Sequence, residues 1–295
     1  MKFLVLPVLI FSSMIMHAQY YYNDIVGTQE TNRQMQAFVS NKVRTVSADA
    51  YVQDPNTQQS SKSTDFSETQ EVRENGRALK IVTVTNFNRT VSYNRFDDKG
   101  RLTSVTDTSL GVANTTTYEY DNDGRLINVQ NTVKDPESEI DQVETHQWIY
   151  NKNGKPEKMW RIVNRTDSLE VRFIPEENGN PGEEVSYKRG KEKDHLYYYF
   201  DDKGRVTDIV RYDEKVKKLV PDNIITYDDA GRVIQIVTNS IKDNVGIGKL
   251  GKAYFVRYMI WRYVYNEKGL KTNDVLFNAN QQITGKIKYN YTFSQ

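Results

Sequence analysis

Cysteine does not occur in this 295-residue chain. That excludes disulfides, thiolate metal sites and the lipid-modified cysteine of a bacterial lipoprotein. Histidine is almost as scarce: beyond the first eighteen residues only His146 and His195 remain, too few for a usual structural zinc site. Neither His-Glu-x-x-His nor Gly-x-Ser-x-Gly is present, so the common metalloprotease and serine-hydrolase arrangements are missing. No apolar run reaches the 18 or so residues needed to span a bilayer as a helix.

An excess of either charge is lacking too, with 40 Lys and Arg against 39 Asp and Glu. The longest apolar stretch, residues 3–16, follows Lys2 and ends at His17-Ala18 before Gln19, the pattern of a signal peptide over residues 1–18. Cleavage there removes Lys2 and no acid, leaving 39 basic against 39 acidic residues. A balanced chain of this kind argues against nucleic acid or an anionic membrane surface as partner. The expected destination is outside the cytoplasm: periplasmic, cell-surface or secreted, with no transmembrane segment in the mature chain.

What is abundant is a repeat. Tyr118-Glu119-Tyr120-Asp121-Asn122-Asp123-Gly124-Arg125-Leu126 has copies down the chain, with turn glycines at Gly76, Gly100, Gly124, Gly154, Gly204, Gly231 and Gly269. Degenerate copies turn near Gly179 and at Gln281. Alternating aromatics, an Asp, two polar residues, a Gly and an aliphatic residue read as the arms and tip of a β-hairpin. The Asp hydrogen-bonds the turn backbone and the Gly accepts positive φ. This geometry sets Asp97 against Arg101, Asp121 against Arg125, Asp201 against Arg205 and Asp228 against Arg232. It also pairs Phe96 with Leu102, Tyr120 with Leu126, Tyr150 with Pro156, Phe200 with Val206, Tyr227 with Val233 and Phe277 with Ile283. If the turn is assigned correctly, Gly124→Val costs more than Thr116→Val.

Residues 96–107 followed by 115–121 resemble the YD repeat of Rhs-type bacterial proteins, and the weaker likeness extends over about residues 64–295. The resemblance implies hairpins laid side by side in a spiralling sheet, which in large members encloses a toxin or a hollow shell. This chain lacks the Rhs core segment and a toxin domain. Gln19 after the cut and the Asn-rich, Cys-free composition resemble exported proteins of the Bacteroidetes type.

Residues 20–52 do not fit the repeat. Thr31 with Gln34 resembles a capping box, and Met35, Phe38 and Val39 recur at helical spacing, which predicts a short helix covering the first hairpin's edge. The expected organisation is therefore a signal peptide (1–18), an N-terminal cap and linker (19–63), and an all-β domain (64–295). That domain is expected as tandem antiparallel hairpins in a long twisted or curled sheet.

Candidate sites are few. Gly246-Ile247-Gly248-Lys249-Leu250-Gly251 matches a dinucleotide pattern, but a polar stretch precedes it and a strand-like run follows, so no pyrophosphate-binding helix is expected. Single acidic tips supply too few oxygens for calcium; no cofactor or metal is expected. The aromatic ladder Tyr118, Tyr120, Trp148, Tyr150, Tyr198, Phe200, Tyr263 and Tyr265 is either core or, where exposed, a platform for sugars or a partner chain. The expected function is non-enzymatic binding or scaffolding in the cell envelope or outside the cell, with a protein or glycan partner. A carbohydrate-binding module using the ladder is the alternative, ahead of an enzyme with a dispersed carboxylate site.

Overall fold

The computed structural model describes residues 19–295 apart from 55–56, 58, 135–141, 215–216 and 243–254. The leader and the glycine-rich run 246–251 lie outside the described residues. A π-helical turn (Tyr21–Val26) runs into helix α1 (Gly27–Ser40), and eighteen strands follow: β1 (Val43–Gln53), β2 (Ser60–Arg73), β3 (Ala78–Thr85), β4 (Arg89–Phe96), β5 (Leu102–Ser109), β6 (Val112–Tyr120), β7 (Leu126–Lys134), β8 (Gln142–Tyr150), β9 (Pro156–Val163), β10 (Asp167–Pro175), β11 (Pro181–Lys188), β12 (Lys191–Phe200), β13 (Val206–Asp213), β14 (Lys218–Tyr227), β15 (Val233–Lys242), β16 (Phe255–Tyr265), β17 (Lys271–Phe277) and β18 (Ile283–Phe293).

Each strand pairs antiparallel with the next, and β1 pairs with both β2 and β18. The sheet is therefore a closed 18-stranded barrel, which corrects the expectation of an open twisted or curled sheet. Closure removes the edges that would otherwise invite association with other chains.

The turns have the expected chemistry. In the second one, the Asp97 carboxylate accepts from the Lys99 and Arg101 amides at 2.9 Å each, and Gly100 takes φ +73°. The Arg101 side chain returns to the other Asp97 oxygen at 2.8 Å, a pairing repeated at Asp121, Asp201 and Asp228. The six apolar pairs are register partners, each beside a one-residue irregularity. Turn glycines from Gly76 to Gly269 all fall on alternate connections and so lie at one end of the barrel. Gln281, at φ +59°, makes the same turn, but it connects β17 to β18 at the opposite end.

Gly124, at φ +81°, tests the turn. Thr116 accepts a hydrogen bond from Asn131, so the exposed Thr117 is the cleaner control. Gly124→Val should cost about 1–2 kcal/mol, whereas Thr117→Val should stay within about 0.5 kcal/mol. Urea midpoints measure both, and equal midpoints would remove the positive-φ requirement.

Residues before position 64 differ from expectation in three respects. The helix covers no hairpin edge, since no edge exists. Thr31 is not a cap: it sits inside α1 and its hydroxyl donates to the Gly27 carbonyl one turn back. And β1 and the start of β2 lie in the stretch expected to be cap and linker, so the barrel begins at Val43. Small inward residues on β1, Ala48 and Ala50, are buried against Phe66 and Ile287.

The outer wall is polar along the middle of its strands. Ser47 and Asp49 on β1, Thr117 and Glu119 on β6, Lys158 on β9, Glu170 and Arg172 on β10, and Lys286 and Lys288 on β18 alternate with buried or half-buried inward neighbours. A basic side chain facing lipid at the bilayer midplane costs about 2–4 kcal/mol. Among the described residues no helix is long and apolar enough to cross a membrane.

Candidate functional site: the plugged mouth and the lumen

Four of the repeats lock onto their neighbours through the tyrosine four residues before the turn glycine. Tyr120 donates its hydroxyl to the Leu102 carbonyl of the preceding hairpin at 2.8 Å, and Tyr150, Tyr227 and Tyr265 donate in the same way to Leu126, Val206 and Val233. Arg101, Arg125, Arg205 and Arg232, already held by their own turn aspartates, lie 4.5 to 5.3 Å from the centroids of these rings. Fixed by an ion pair, each guanidinium loses little further freedom when it stacks. Burial pushes the Tyr120 and Tyr227 phenols up to about 12.

All eight residues of the aromatic ladder lie on the inward face near this end. Trp148 and Tyr198 are buried, and Tyr118, Tyr120, Tyr150, Phe200, Tyr263 and Tyr265 are half-buried; none is exposed. What covers them is the N-terminal segment. Tyr21 packs against Phe173, Tyr198 and Phe200, and Tyr20 and Ile25 join the cluster of Trp148, Met159 and Val171.

Helix α1 closes the same mouth. The Asn32 side-chain oxygen accepts from the Leu102 amide at 2.8 Å, while the adjacent Arg33 donates to the Gly231 carbonyl. Those partners belong to the β4–β5 and β14–β15 turns, nearly opposite in the ring, so the helix bridges the mouth from side to side. Asn41 reaches the Lys268 carbonyl, and a Cβ on Gly76 would stand 2.5 Å from a Val39 methyl carbon.

Beyond the helix the chain descends into the barrel. Gln19 donates through Nε2 to Asp222, six residues down β14 from its turn aspartate and so roughly 20 Å along the strand from it. Glu184 on β11, completely buried, accepts from the amides of Gln19, Tyr20 and Tyr21 at 2.9, 3.0 and 2.9 Å and from the Tyr198 hydroxyl at 3.0 Å. Burial pushes its carboxyl up. At β8, Asp24 of the plug accepts from His146 Nδ1 at 2.7 Å and from the Trp148 indole at 3.0 Å, and His146 Nε2 donates to Glu144, which Arg161 also binds.

Burial opposes the charge on His146, but Asp24 and Glu144 outweigh it and raise the imidazole to about 9. Hydrogen bonds and charge from His146 and Arg161 outweigh burial at Glu144 and hold it at about 2. An imidazolium with both nitrogens donating to carboxylates has no lone pair with which to take a proton. Its role here is to fix the plug to the wall. Among the described residues no group of three His, Asp or Glu side chains converges as a metal site.

On strands β4 to β7 the inward wall changes character. Ser92, Asp107, Asn114, Thr116 and Asn131 point inward by register with buried neighbours, yet each is partly exposed, so solvent reaches the inner wall there. Some are cross-linked, as Asn131 is to Asn114 and Thr116.

Position five after the turn glycine was the sequence signal for the buried acids. It is Ile81, Val105, Val129, Met159, Ile209 and Ile236 in six copies, but Glu184 and Asp274 in two. Asp274 is buried as well, held by Tyr289 at 2.7 Å and by Lys271, and burial raises its carboxyl.

These features define a class: an antiparallel meander barrel made of tandem hairpins and filled at one mouth by its own N-terminal segment. Residues 96–138 match the RHS Repeat family, so the chain carries an RHS repeat. Curated protein sequences include no match to it. Among solved structures, TcdB2-TccC3-Cdc42 and TcdB2-TccC3 align over 75% and 76% of this chain, each at 15% identity and TM-score 0.34. The alignments span only 11% of those much longer chains. A porin-like protein from Bacteroides uniformis aligns over 85% of this chain and 97% of its own, at 11% identity and TM-score 0.43.

Proposed function

We propose that this protein is an exported, non-enzymatic β-repeat barrel that holds a hydrophilic protein or glycan segment in its lumen, in the cell envelope or outside the cell. The observation that carries the reading is the contrast along the inner wall. Part of it is covered by the N-terminal plug, and the part on β4 to β7 presents amides, hydroxyls and a carboxylate that point inward and remain partly exposed. The polar outer wall and the leader-like residues 1–18 support an aqueous compartment beyond the cytoplasm. Glycan binding on the aromatic ladder has less support, since those rings face the plug and the stacked arginines.

The test uses arrays of bacterial polysaccharides and of peptides. Asn131→Trp narrows the lumen, whereas Thr117→Trp places the same ring on the outer wall. Ligands bound by the wild type should be lost at least tenfold with Asn131→Trp and kept with Thr117→Trp; a ligand indifferent to both would place binding elsewhere.

A further inference from the structure

The setting of Gln19 bears on how the barrel is completed. Gln19 is only 4% exposed although it is the first residue of the descending segment, and its backbone nitrogen is 2.9 Å from a Glu184 carboxylate oxygen. The ion pairs among the described residues include none to Glu184. A carboxylate buried with only neutral donors is costly, and capping by three amides and a phenol leaves its charge uncompensated. Two further observations concern Gln19 itself. Its φ is +109°, a value that strains any residue other than glycine as long as a peptide bond precedes it. Its side-chain oxygen is buried with no hydrogen-bond partner.

We infer that the buried group facing Glu184 is the free α-ammonium of Gln19, created when the leader is removed, and that this new terminus locks the plug into the finished barrel. In the cleavage step a leader peptidase directs water onto the Ala18–Gln19 amide. The C–N bond breaks, Ala18 leaves as a carboxylate and Gln19 takes up the protons as an ammonium ion. Three consequences follow from that one hydrolysis. Glu184 gains a counter-charge at contact distance. The φ constraint on Gln19 disappears with the peptide bond. The nitrogen acquires two more N–H donors, with the unpartnered Oε1 of the same residue among the acceptors at hand. Burial raises the Glu184 carboxyl when only neutral donors face it, which is the penalty the ammonium offsets. An α-amine held as ammonium, with the side-chain amide tied to Asp222, is also prevented from cyclising onto its own side chain with loss of ammonia.

The inference rests on the export reading, and the test separates the two. The intact mass of the exported protein should correspond to a chain starting at uncyclised Gln19; a start elsewhere overturns both the cut and the anchor. With Gln19 first, two chains are then compared, one unmodified and one carrying Gly-Ser before Gln19, each also as Glu184→Gln. The extension should lower the thermal midpoint by about 10 °C in the Glu184 protein and by much less in Glu184→Gln. Equal midpoints, or the same loss in both backgrounds, overturn the anchor while leaving the cut intact. If the extended chain does not fold, acylation of the unextended protein decides. Its α-amine should resist an acylating reagent in the native state and react in Glu184→Gln, and labelling at the rate of an open amine overturns the proposal.

Discussion

A chain ending at Asn280, without β18, should lose cooperative unfolding altogether and associate through its edges. In an open array of hairpins the free energy is roughly a sum of unit and neighbour terms, so a terminal copy can be trimmed at modest cost. Here β18 is the strand that β1 pairs with along its whole length, from Val43 opposite Phe293 to Val52 opposite Gly285. Removing it leaves seventeen strands. In a meander, β1 and β17 then run parallel and cannot restore the antiparallel seam. The loss also strips Tyr291 from Phe38 of the helix and leaves the buried Asp274 without its Tyr289 partner. The stability at stake is that of the whole fold, about 5–15 kcal/mol. Excising one complete hairpin, residues 112–134, leaves an even number of strands and should be tolerated better. Circular dichroism melts and size measurements on both deletions decide it; a monomeric, cooperatively melting C-terminal truncation would show that closure contributes little.

Stability should also fall as the pH rises from about 6.5 through about 9. His146 is raised from its ordinary value to about 9 by Asp24 and Glu144, so the folded protein binds the proton more tightly than the unfolded chain. Its contribution is fully present below pH 6.5 and lost as pH climbs through 9, to the extent of about 3 kcal/mol. Glu144 has the opposite sign. Held at about 2, it stabilises above its ordinary range near 4.5 and loses that contribution as pH falls toward 2. Together they place the optimum between about pH 4.5 and 6.5. Urea midpoints from pH 4 to 10 for the wild type and His146→Gln check this; the variant should be less stable at pH 6 and lack the alkaline decline, and a wild type flat between pH 6.5 and 9 would contradict it.

The sequence by itself determined the hairpins, and the reason is distance along the chain. Asp97, Gly100 and Arg101 interact within five residues, so turn, positive φ and cross-strand pair are all written in one short motif. Even the degenerate copy at Gln281 kept that local geometry. What the motif does not encode is which end of the sheet a turn occupies. That depends on counting strands, and the interval from Gly269 to Gln281 spans one strand where the other intervals span two. The aromatic ladder was legible as a ladder, but its use was not. Tyr120 meets Leu102 and Arg101 of the hairpin before it only when the hairpins lie side by side.

Closure and the plug belong to the tertiary structure alone. Strand β1 carries no turn motif, and its pairing with β18 joins residues some 240 apart, a choice made by the number of strands and the twist that brings the last beside the first. The run Tyr20-Tyr21-Tyr22 and the acid at Glu184 were visible as oddities, one outside the repeat and one at a position that is apolar in six other copies. Neither named the other as partner, because a buried carboxylate and the amides that cap it, 163 to 165 residues away, become neighbours only once the ring has closed around the N-terminal segment.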